Sequence, residues 1–283
     1  MQLELKSVSL VYDPDVQNPK KAVDDISLTL RKGEFAGLIG HTGSGKSTLV
    51  QIMNGLLKPT EGTVLLDGQD VHEKGFPLRN LRRQVGLVFQ YPEYQLFEET
   101  VLKDVCFGPK NLGLPKEEQE ERAKKALSRV GLDARYYDAS PFELSGGEKR
   151  RAAIAGVLAM EPDILILDEP TAGLDPQGRN DLLAEIRKLN EEEGTGIVLV
   201  SHSMEDVAAY ASRLLVMNHA RLVYDDTPRH VFEHYKELEA MGLSAPQVVY
   251  VMHALEARGL DVRTDVLTIE EAKREILRAL GRK

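Results

Sequence analysis

The chain has 283 residues and a formal charge of −9. This acidic balance argues against nucleic acid as a partner, which normally requires a basic face. Hydrophobic residues make up 42% of the chain and Cys106 is its one cysteine, so a largely disordered chain and an internal disulfide framework are both excluded. We expect no membrane span and no signal peptide, because the apolar stretches are strand-sized and the N-terminus has no basic and apolar leader.

The N-terminal part of the sequence predicts short strands. Alternating apolar residues indicate a strand over Leu3–Tyr12, and after the turn-rich stretch Asp13–Lys21 a second strand is expected over Ile26–Leu30. The residues Arg31–Glu34 favour a hairpin turn into a third strand, Phe35–Ile39, which runs into a glycine-rich loop.

The middle of the chain contains two regions of different composition and periodicity. A helix is predicted from Ser47, followed by strands over Thr63–Asp67 and Val85–Phe89. Residues 92–151 are then rich in Glu, Lys and Arg, and Lys116–Val130 carries an apolar stripe at helical spacing. This region is predicted to be a helical subdomain inserted between strands.

Strands return after the insertion. They are expected over Ile164–Leu167 and Gly196–Val200, with a helix over Gln177–Glu193 between them. Leu214–Met217 and Arg221–Tyr224 favour a closing hairpin. Alternating strands and helices predict an α/β fold with a mostly parallel core sheet.

The last part of the chain is predicted to be helical. We divide the sequence into an α/β domain over residues 1–227 and a helical extension over residues 228–283. Near its end Thr268 and Glu271 fit a capping box, in which Thr268 caps the helix and Glu271 reaches back to it.

A phosphate-binding loop follows the third strand. Residues 40–47 match the pattern G-x-x-x-x-G-K-[ST], in which backbone N–H groups surround the β-phosphate and the lysine reaches the β- and γ-phosphates. The strand before and the helix after argue against a chance glycine-rich turn. We assign ATP binding to Gly40, His41, Thr42, Gly43, Ser44, Gly45, Lys46, Ser47 and Thr48.

A second set of functional groups ends the apolar strand at residue 167. Asp168 and Glu169 follow it directly, at the edge where open α/β sheets bind ligands. Asp168 is predicted to lie near Mg²⁺, with the Ser47 hydroxyl as a further ligand, and Glu169 to act as general base on the attacking water. Alone, such an acidic pair is equally typical of a solvated turn.

These two motifs indicate a nucleoside triphosphatase and leave kinases, helicases and GTPases open. The segment Leu144–Arg151 resembles the signature motif of ATP-binding-cassette (ABC) ATPases, and the resemblance extends over roughly residues 1–230. It implies a P-loop fold with an N-terminal antiparallel β region, and ATP and Mg²⁺ as ligands.

The resemblance also assigns roles to single residues that carry little information alone. It implies that Tyr12 stacks on adenine, that Gln90 contacts Mg²⁺ and the water, and that His202 contacts the γ-phosphate. With Lys46 and Glu169, Gln90 and His202 form the expected catalytic set.

In this family the signature of one subunit completes the ATP site of another. The residues expected to act there are Ser145, Gly146, Gly147, Glu148 and Asp175. Two such domains then hold two ATP molecules head to tail, and a monomer is nearly inactive. Position 148 is Glu where the family usually has Gln; we expect it to tune the interface, in a direction that the sequence leaves open.

A narrower resemblance concerns residues 90–101. They resemble energy-coupling factor (ECF) ATPases, which drive uptake of vitamins and of nickel or cobalt, and in particular the second of the two ATPase types, which usually pairs with a non-identical sister. The implied partners are a second ATPase subunit, identical or not, a transmembrane T-component and, indirectly, a substrate-binding S-component. The implied location is the cytoplasmic face of the membrane. The resemblance implies a groove for the T-component at Tyr94, Leu96 and Phe97; the alternative is that Leu96 and Phe97 pack inside the helical subdomain.

The same branch carries a C-terminal extension that holds the dimer together. Candidate contact residues are Val248, Val249, Val251, Met252, Leu255 and Leu260. The alternative is a tail that packs only on its own chain.

Other classes of protein fit less well. An ATPase of another ABC transporter class and a soluble ABC protein of DNA repair or translation remain as alternatives. Repair types have a long coiled coil and translation types two cassettes, whereas this chain has one cassette with a short insertion.

Overall fold

A computed structural model describes residues 1–13 and 19–281, so most of the predicted turn after the first strand lies outside the described residues. Within the described part, the strands are β1 Gln2–Tyr12, β2 Lys20–Arg31, β3 Phe35–Gly40, β4 Glu61–Leu66, β5 Gln69–Asp70, β6 Val85–Val88, β7 Ile164–Asp168, β8 Gly196–Val200, β9 Arg213–Asn218 and β10 Arg221–Asp226. The α-helices are α1 Lys46–Met53, α2 Leu78–Gln84, α3 Val101–Asn111, α4 Lys116–Arg129, α5 Gly146–Leu158, α6 Pro176–Glu193, α7 Met204–Tyr210, α8 Pro228–Glu233, α9 Tyr235–Ala240, α10 Gln247–Ala257 and α11 Ile269–Ala279.

The core sheet has six strands in the order β10-β9-β3-β8-β7-β6. Neighbouring strands from β9 to β6 run parallel, and β10 is antiparallel to β9. Every residue of β3, β7 and β8 is buried, as expected of parallel strands covered on both faces. The predictions of a mostly parallel sheet and a closing hairpin are therefore confirmed.

The N-terminal sheet is separate and antiparallel, in the order β2-β1-β4-β5. The predicted hairpin at Arg31–Glu34 is wrong, because this turn leads from β2 in one sheet to β3 in the other. The burial patterns explain the change of sheet. Along β2 buried and exposed residues alternate, which suits a sheet with one solvated face, whereas β3 is buried throughout and pairs in parallel with β8 and β9.

The helical subdomain lies between β6 and β7, as predicted. It consists of the helices α3, α4 and α5 and of 3₁₀ turns at Pro92–Gln95, Ala134–Tyr136 and Pro141–Glu143. The predicted stripe of α4 is buried, with Ala123 and Leu127 both at 0% exposure. The subdomain shares one apolar cluster with β7, β8 and α6, so it is anchored to the ATPase core.

The C-terminal helices pack directly on the core sheet. Val231, Phe232 and Leu238 join one buried cluster with Ile39 of β3 and Val216 of β9. Thr268 caps α11 by accepting from the Glu271 N–H, as predicted. The reciprocal bond goes elsewhere than predicted: Glu271 Oε2 accepts from the Leu267 N–H at 2.9 Å. Among the described residues no helix is both long and apolar enough to cross a bilayer.

Candidate nucleotide site and signature

The phosphate loop joins the C-terminal end of β3 to the first turn of α1. Gly40 has φ +159°, and a Cβ there would lie 2.5 Å from both the Met217 carbonyl oxygen and Ser44 Oγ. Gly45 has φ +107°, and its Cβ would clash with the Ala22 carbonyl oxygen. Only glycine meets both demands. The loop therefore wraps tightly and leaves its N–H groups and the start of α1 free for an anion.

Lys46 already occupies the loop. Its ammonium donates to the carbonyl oxygens of Gly40, at 2.7 Å, and His41, at 3.2 Å. Burial lowers the pKa of Lys46, while Glu169 and Asp168 oppose that shift. A buried cation held between two carbonyls and two acids is well placed to bind phosphate oxygens.

Beside the loop lies a cleft of about 140 Å³. Tyr12 lines it together with Lys46, Ser47 and Thr48, and the Tyr12 hydroxyl lies 3.3 Å from Thr48 Oγ1. Tyr12 is 38% exposed. The structure thus brings the predicted adenine-stacking residue to the same cleft as the phosphate loop.

Asp168 is the last residue of β7 and is 7% exposed. Burial raises the pKa of its carboxyl group, and the nearby Ser47 hydroxyl and Lys46 ammonium oppose that rise. Gln90 follows β6, which pairs in parallel with β7, so it extends from the same edge of the sheet. Gln90 and Ser47 are both exposed.

Glu169 has strained backbone geometry, with φ 52°, in a region that non-glycine residues rarely adopt and that is enriched at functional sites. Its Oε1 is buried without a hydrogen-bond partner among the described residues. Burial raises the pKa of Glu169 to about 7, which makes the carboxylate a stronger base.

His202 lies next to this carboxylate, with Nε2 3.4 Å from Glu169 Oε1. Burial and the Lys46 charge lower the pKa of His202, so the imidazole is neutral at pH 7. The predicted base and the predicted γ-phosphate ligand are therefore adjacent.

These residues fit Mg²⁺ together with a nucleotide. Ser47, Asp168 and Gln90 offer oxygen ligands, which this cation prefers, and it is usually bound by one or two carboxylates plus substrate phosphates. Buried Ser44 Oγ also has no partner among the described residues.

The signature forms the N-terminus of α5. Ser145 caps the helix, and a capping box links it to Glu148: Glu148 Oε2 accepts from the Ser145 N–H at 2.8 Å, and the Glu148 N–H donates to Ser145 Oγ. The S-x-x-E pattern at 145–148 is the sequence signal that would have revealed this box. Sequence reasoning missed the box, as well as Tyr136, whose hydroxyl donates to Glu148 Oε1 at 2.7 Å.

The signature lies apart from the chain's own nucleotide cleft. None of the described residues lining that cleft belongs to it, and Ser145 and Gly146 are exposed. Gly147 instead approaches Leu174, because a Cβ added to Gly147 would lie 3.6 Å from Leu174 Cδ2. Asp175, the next residue, caps α6. The structure thus brings the signature and the loop at Asp175 together.

A buried ion pair that the sequence did not reveal connects these motifs. Arg150 of α5 is 3% exposed and donates to both carboxylate oxygens of Glu93, at 2.9 and 3.1 Å. It also donates to the Pro170 carbonyl oxygen at 3.5 Å. One guanidinium therefore joins the signature helix, the segment after Gln90 and the residue after Glu169. Within a charged stretch of sequence, nothing local indicates that one arginine will be buried.

A cavity of about 650 Å³ lies between the helical subdomain and α2, near the residues predicted to form the partner groove. Phe97 and Phe107 line it, 56% and 40% exposed, with ring centroids 4.9 Å apart. Leu96 lines it too but is 7% exposed and belongs to the subdomain core, as the alternative interpretation expected. Tyr94 is 84% exposed and lies outside the described lining, so its assignment to the groove stays a prediction.

The chain is similar to known proteins in sequence and in structure. Residues 23–172 match the family described as ABC transporter. The chain is 53% identical to the energy-coupling factor transporter ATP-binding protein EcfA2 of Clostridium tetani, over 100% of this chain and 99% of that protein. The protein of the same name from Clostridium perfringens is 51% identical over 98% of each chain.

Two solved structures share the fold. The cbiO1 protein of Clostridium perfringens, described as part of the ABC transporter complex cbiONQ, superposes with a TM-score of 0.74 at 35% identity, over 90% of this chain and 98% of that one. A dimeric ATP-binding cassette in a post-hydrolysis state, bound to ADP and Pi, superposes with a TM-score of 0.72 at 31% identity, over 80% of this chain and 98% of that one.

The phosphate loop, the acidic end of β7 and the match over residues 23–172 place the chain in the ABC transporter family of ATPases. Within that family it belongs to the energy-coupling factor transporter ATP-binding proteins, of the second ATPase type. Both predictions from the sequence are confirmed.

Proposed function

We propose that this chain hydrolyses ATP in a head-to-tail pair and thereby powers an energy-coupling factor importer. The observation that carries the proposal is that the signature lies outside the chain's own nucleotide cleft. The phosphate loop lines this cleft, and the two acids and His202 lie close to Lys46 of the loop, whereas the described lining contains no signature residue. The exposed N-terminus of α5 lies outside that cleft, where helix N–H groups favour the phosphate of a nucleotide held by another subunit.

Within the nucleotide cleft of each subunit, different residues bind different parts of ATP. Tyr12 stacks on adenine, the glycine-rich backbone surrounds the β-phosphate and Lys46 binds the β- and γ-phosphates. Because these groups are already positioned before ATP arrives, with Lys46 held by two loop carbonyls, little reorganisation is needed when ATP binds.

Hydrolysis then depends on Glu169 and His202. Ser47, Asp168 and Gln90 would hold Mg²⁺, which would neutralise charge on the β- and γ-phosphates. Glu169 accepts a proton from the attacking water, and His202 orients the γ-phosphate beside it. Ser145 and Gly147 of the partner subunit's signature supply the remaining hydrogen bonds, and Asp175 contacts the opposing subunit.

Closure of the pair moves the helical subdomains and transmits force through the groove at Leu96 and Phe97. The T-component docks there and reorients an S-component, which selects the vitamin or transition-metal ion. The chain then works at the cytoplasmic face of the membrane without crossing it. Its second ATPase subunit is identical or a sister; we call this chain with that subunit the ATPase pair.

Replacing Phe97 and Phe107 by aspartate tests the groove. We expect the amount of transmembrane subunit that co-purifies with the tagged chain from membranes to fall at least about tenfold, because two charges are desolvated in an apolar contact. Val223→Asp is the matched control, since Val223 is 39% exposed on β10, at the opposite edge of the core sheet from β6. Recovery within twofold of wild type in the Phe97/Phe107 variant would exclude the groove as the docking site.

We also propose that the extension from residue 228 holds the pair together without nucleotide. Of the predicted contact residues, Val249 and Met252 are 1% and 0% exposed and pack within their own chain, so that part of the prediction is wrong. Three further candidates are partly buried against the apolar cluster that contains Met252: Val248, Leu255 and Leu260. Val251, 49% exposed, remains available.

The change Val251→Glu tests this role of the extension. We expect the nucleotide-free pair to dissociate about tenfold more readily, measured by analytical ultracentrifugation, with the melting temperature unchanged. Val249→Glu serves as the contrast and should lower the melting temperature, because it buries a charge. An unchanged association constant for Val251→Glu would mean that α10 packs only on its own chain.

A further inference from the structure

Glu148 is the residue at which the signature departs from the family pattern, and both its carboxylate oxygens are occupied. Oε2 accepts from the Ser145 hydroxyl at 2.7 Å and from the Ser145 N–H at 2.8 Å. Oε1 accepts from the Tyr136 hydroxyl at 2.7 Å. The carboxylate is therefore fixed against the tip of the signature and is not free to reach across an interface.

The Ser145 hydroxyl has one proton to donate. In the structure it donates that proton to Glu148 Oε2. The γ-phosphate oxygens of a bound ATP are acceptors, so Ser145 donates to the phosphate only after its bond to Glu148 breaks. The Ser145 N–H is likewise unavailable to the phosphate, because it donates to Glu148 Oε2.

The negative charge of Glu148 also opposes binding of the γ-phosphate at the signature. The hydrogen bonds from Ser145 and Tyr136 lower the pKa of Glu148 to about 2. The side chain is therefore an ionised carboxylate at neutral pH. It sits in the first turn of α5, where it already uses the partial positive charge that would attract a phosphate. An incoming γ-phosphate is thus met by a negative charge.

We propose that Glu148 is a positioning residue that competes with the γ-phosphate for Ser145 and so restrains closure of the ATPase pair. The proposal rests on the head-to-tail pair described above. Tyr136 holds the competing carboxylate in place, and closure requires Ser145 to exchange an intramolecular acceptor for the phosphate of the partner's ATP.

The substitution Glu148→Gln isolates this effect. The glutamine side chain keeps the capping box, because its carbonyl oxygen still accepts from the Ser145 N–H. Its amide N–H₂ takes the place of Oε1 beside the Tyr136 hydroxyl, and its neutral carbonyl oxygen holds the Ser145 hydroxyl proton less strongly than a carboxylate does. The change removes the negative charge and preserves the shape of the side chain.

The measurement is ATP retained by the ATPase pair after rapid gel filtration, as a function of ATP concentration. It is made in a Glu169→Gln background, in which hydrolysis does not consume the ligand. We expect Glu148→Gln to lower the ATP concentration for half-maximal retention by about tenfold. ADP affinity and melting temperature should stay unchanged, because ADP has no γ-phosphate and the cap is intact.

Two controls separate competition from a structural role. Glu148→Ala removes the charge and the cap together, and should also favour retention while lowering the melting temperature. If Glu148 merely caps the helix, Glu148→Gln leaves retention unchanged, and if it assists closure, retention needs more ATP; either result overturns the proposal. Absence of retention in the Glu169→Gln parent would instead overturn the head-to-tail pair itself.

Discussion

Replacing Glu169 by glutamine is expected to slow ATP hydrolysis by at least about a hundredfold while the ATPase pair retains ATP. The carboxylate is placed to act as a base: Oε1 is buried without a partner among the described residues, and burial raises the pKa of Glu169 to about 7. Glutamine keeps the shape and removes the proton acceptor. The result is checked by phosphate release together with the nucleotide recovered after gel filtration.

A second glutamate provides the control for this change. Glu161 also has a left-handed backbone conformation, with φ 51°, but its side chain contacts Arg122 and Lys125 at the surface. Glu161→Gln should hydrolyse ATP at the wild-type rate. Turnover of Glu169→Gln within tenfold of wild type would show that Glu169 is not the base.

Replacing Lys46 by alanine is expected to weaken ATP binding by about a hundredfold, the worth of a hydrogen bond from a charged donor to phosphate. Turnover should fall to background. Lys46 is 7% exposed and its ammonium already donates to the Gly40 carbonyl oxygen of the loop, so the substitution removes a preorganised ligand. The measurement is equilibrium binding of a fluorescent ATP analogue.

The control for Lys46 is Lys58→Ala, which removes an exposed lysine beyond the end of α1. It should bind ATP as the wild type does. Because Lys46 also bonds the Gly40 carbonyl oxygen, the melting temperature is measured for both variants. An affinity of Lys46→Ala within threefold of wild type, in a folded protein, would contradict the assigned role.

Much of the nucleotide half-site could be predicted from the sequence because its parts are local. The strand, the loop and the start of α1 are consecutive residues, and glycine is needed at positions 40 and 45 for steric reasons that the pattern itself encodes. Asp168 and Glu169 end a strand that is buried at every residue. Parallel pairing then brings them to the edge of the sheet that carries the loop.

The errors concern contacts between residues distant in sequence or choices between two faces. The family resemblance assigned Leu96 to the groove, and apolar character made Val249 and Met252 candidate contact residues. Neither distinguishes a partner-facing side chain from one buried in its own chain. The turn at Arg31–Glu34 was assigned correctly as a turn, yet pairing partners decided that it changes sheets.

The contacts of Tyr136 and Arg150 at the signature could not be predicted, because each joins residues that are distant in sequence. Tyr136 is 12 residues from Glu148, and Arg150 is 57 residues from Glu93. Neither pair has a fixed spacing that a pattern could detect. The capping box at 145–148 is the exception, since its residues are three apart and follow a known pattern.

The central claim is that the signature of one subunit completes the ATP site of the other. Its most direct test adds Ser145→Arg to the Glu169→Gln chain and measures ATP retained by the ATPase pair after gel filtration. Ser145 lies outside the cleft of its own chain, so binding of ATP to the separate subunit should be unchanged. We predict that retention falls at least about tenfold, because a bulky side chain blocks the anion site. Undiminished retention would contradict the claim.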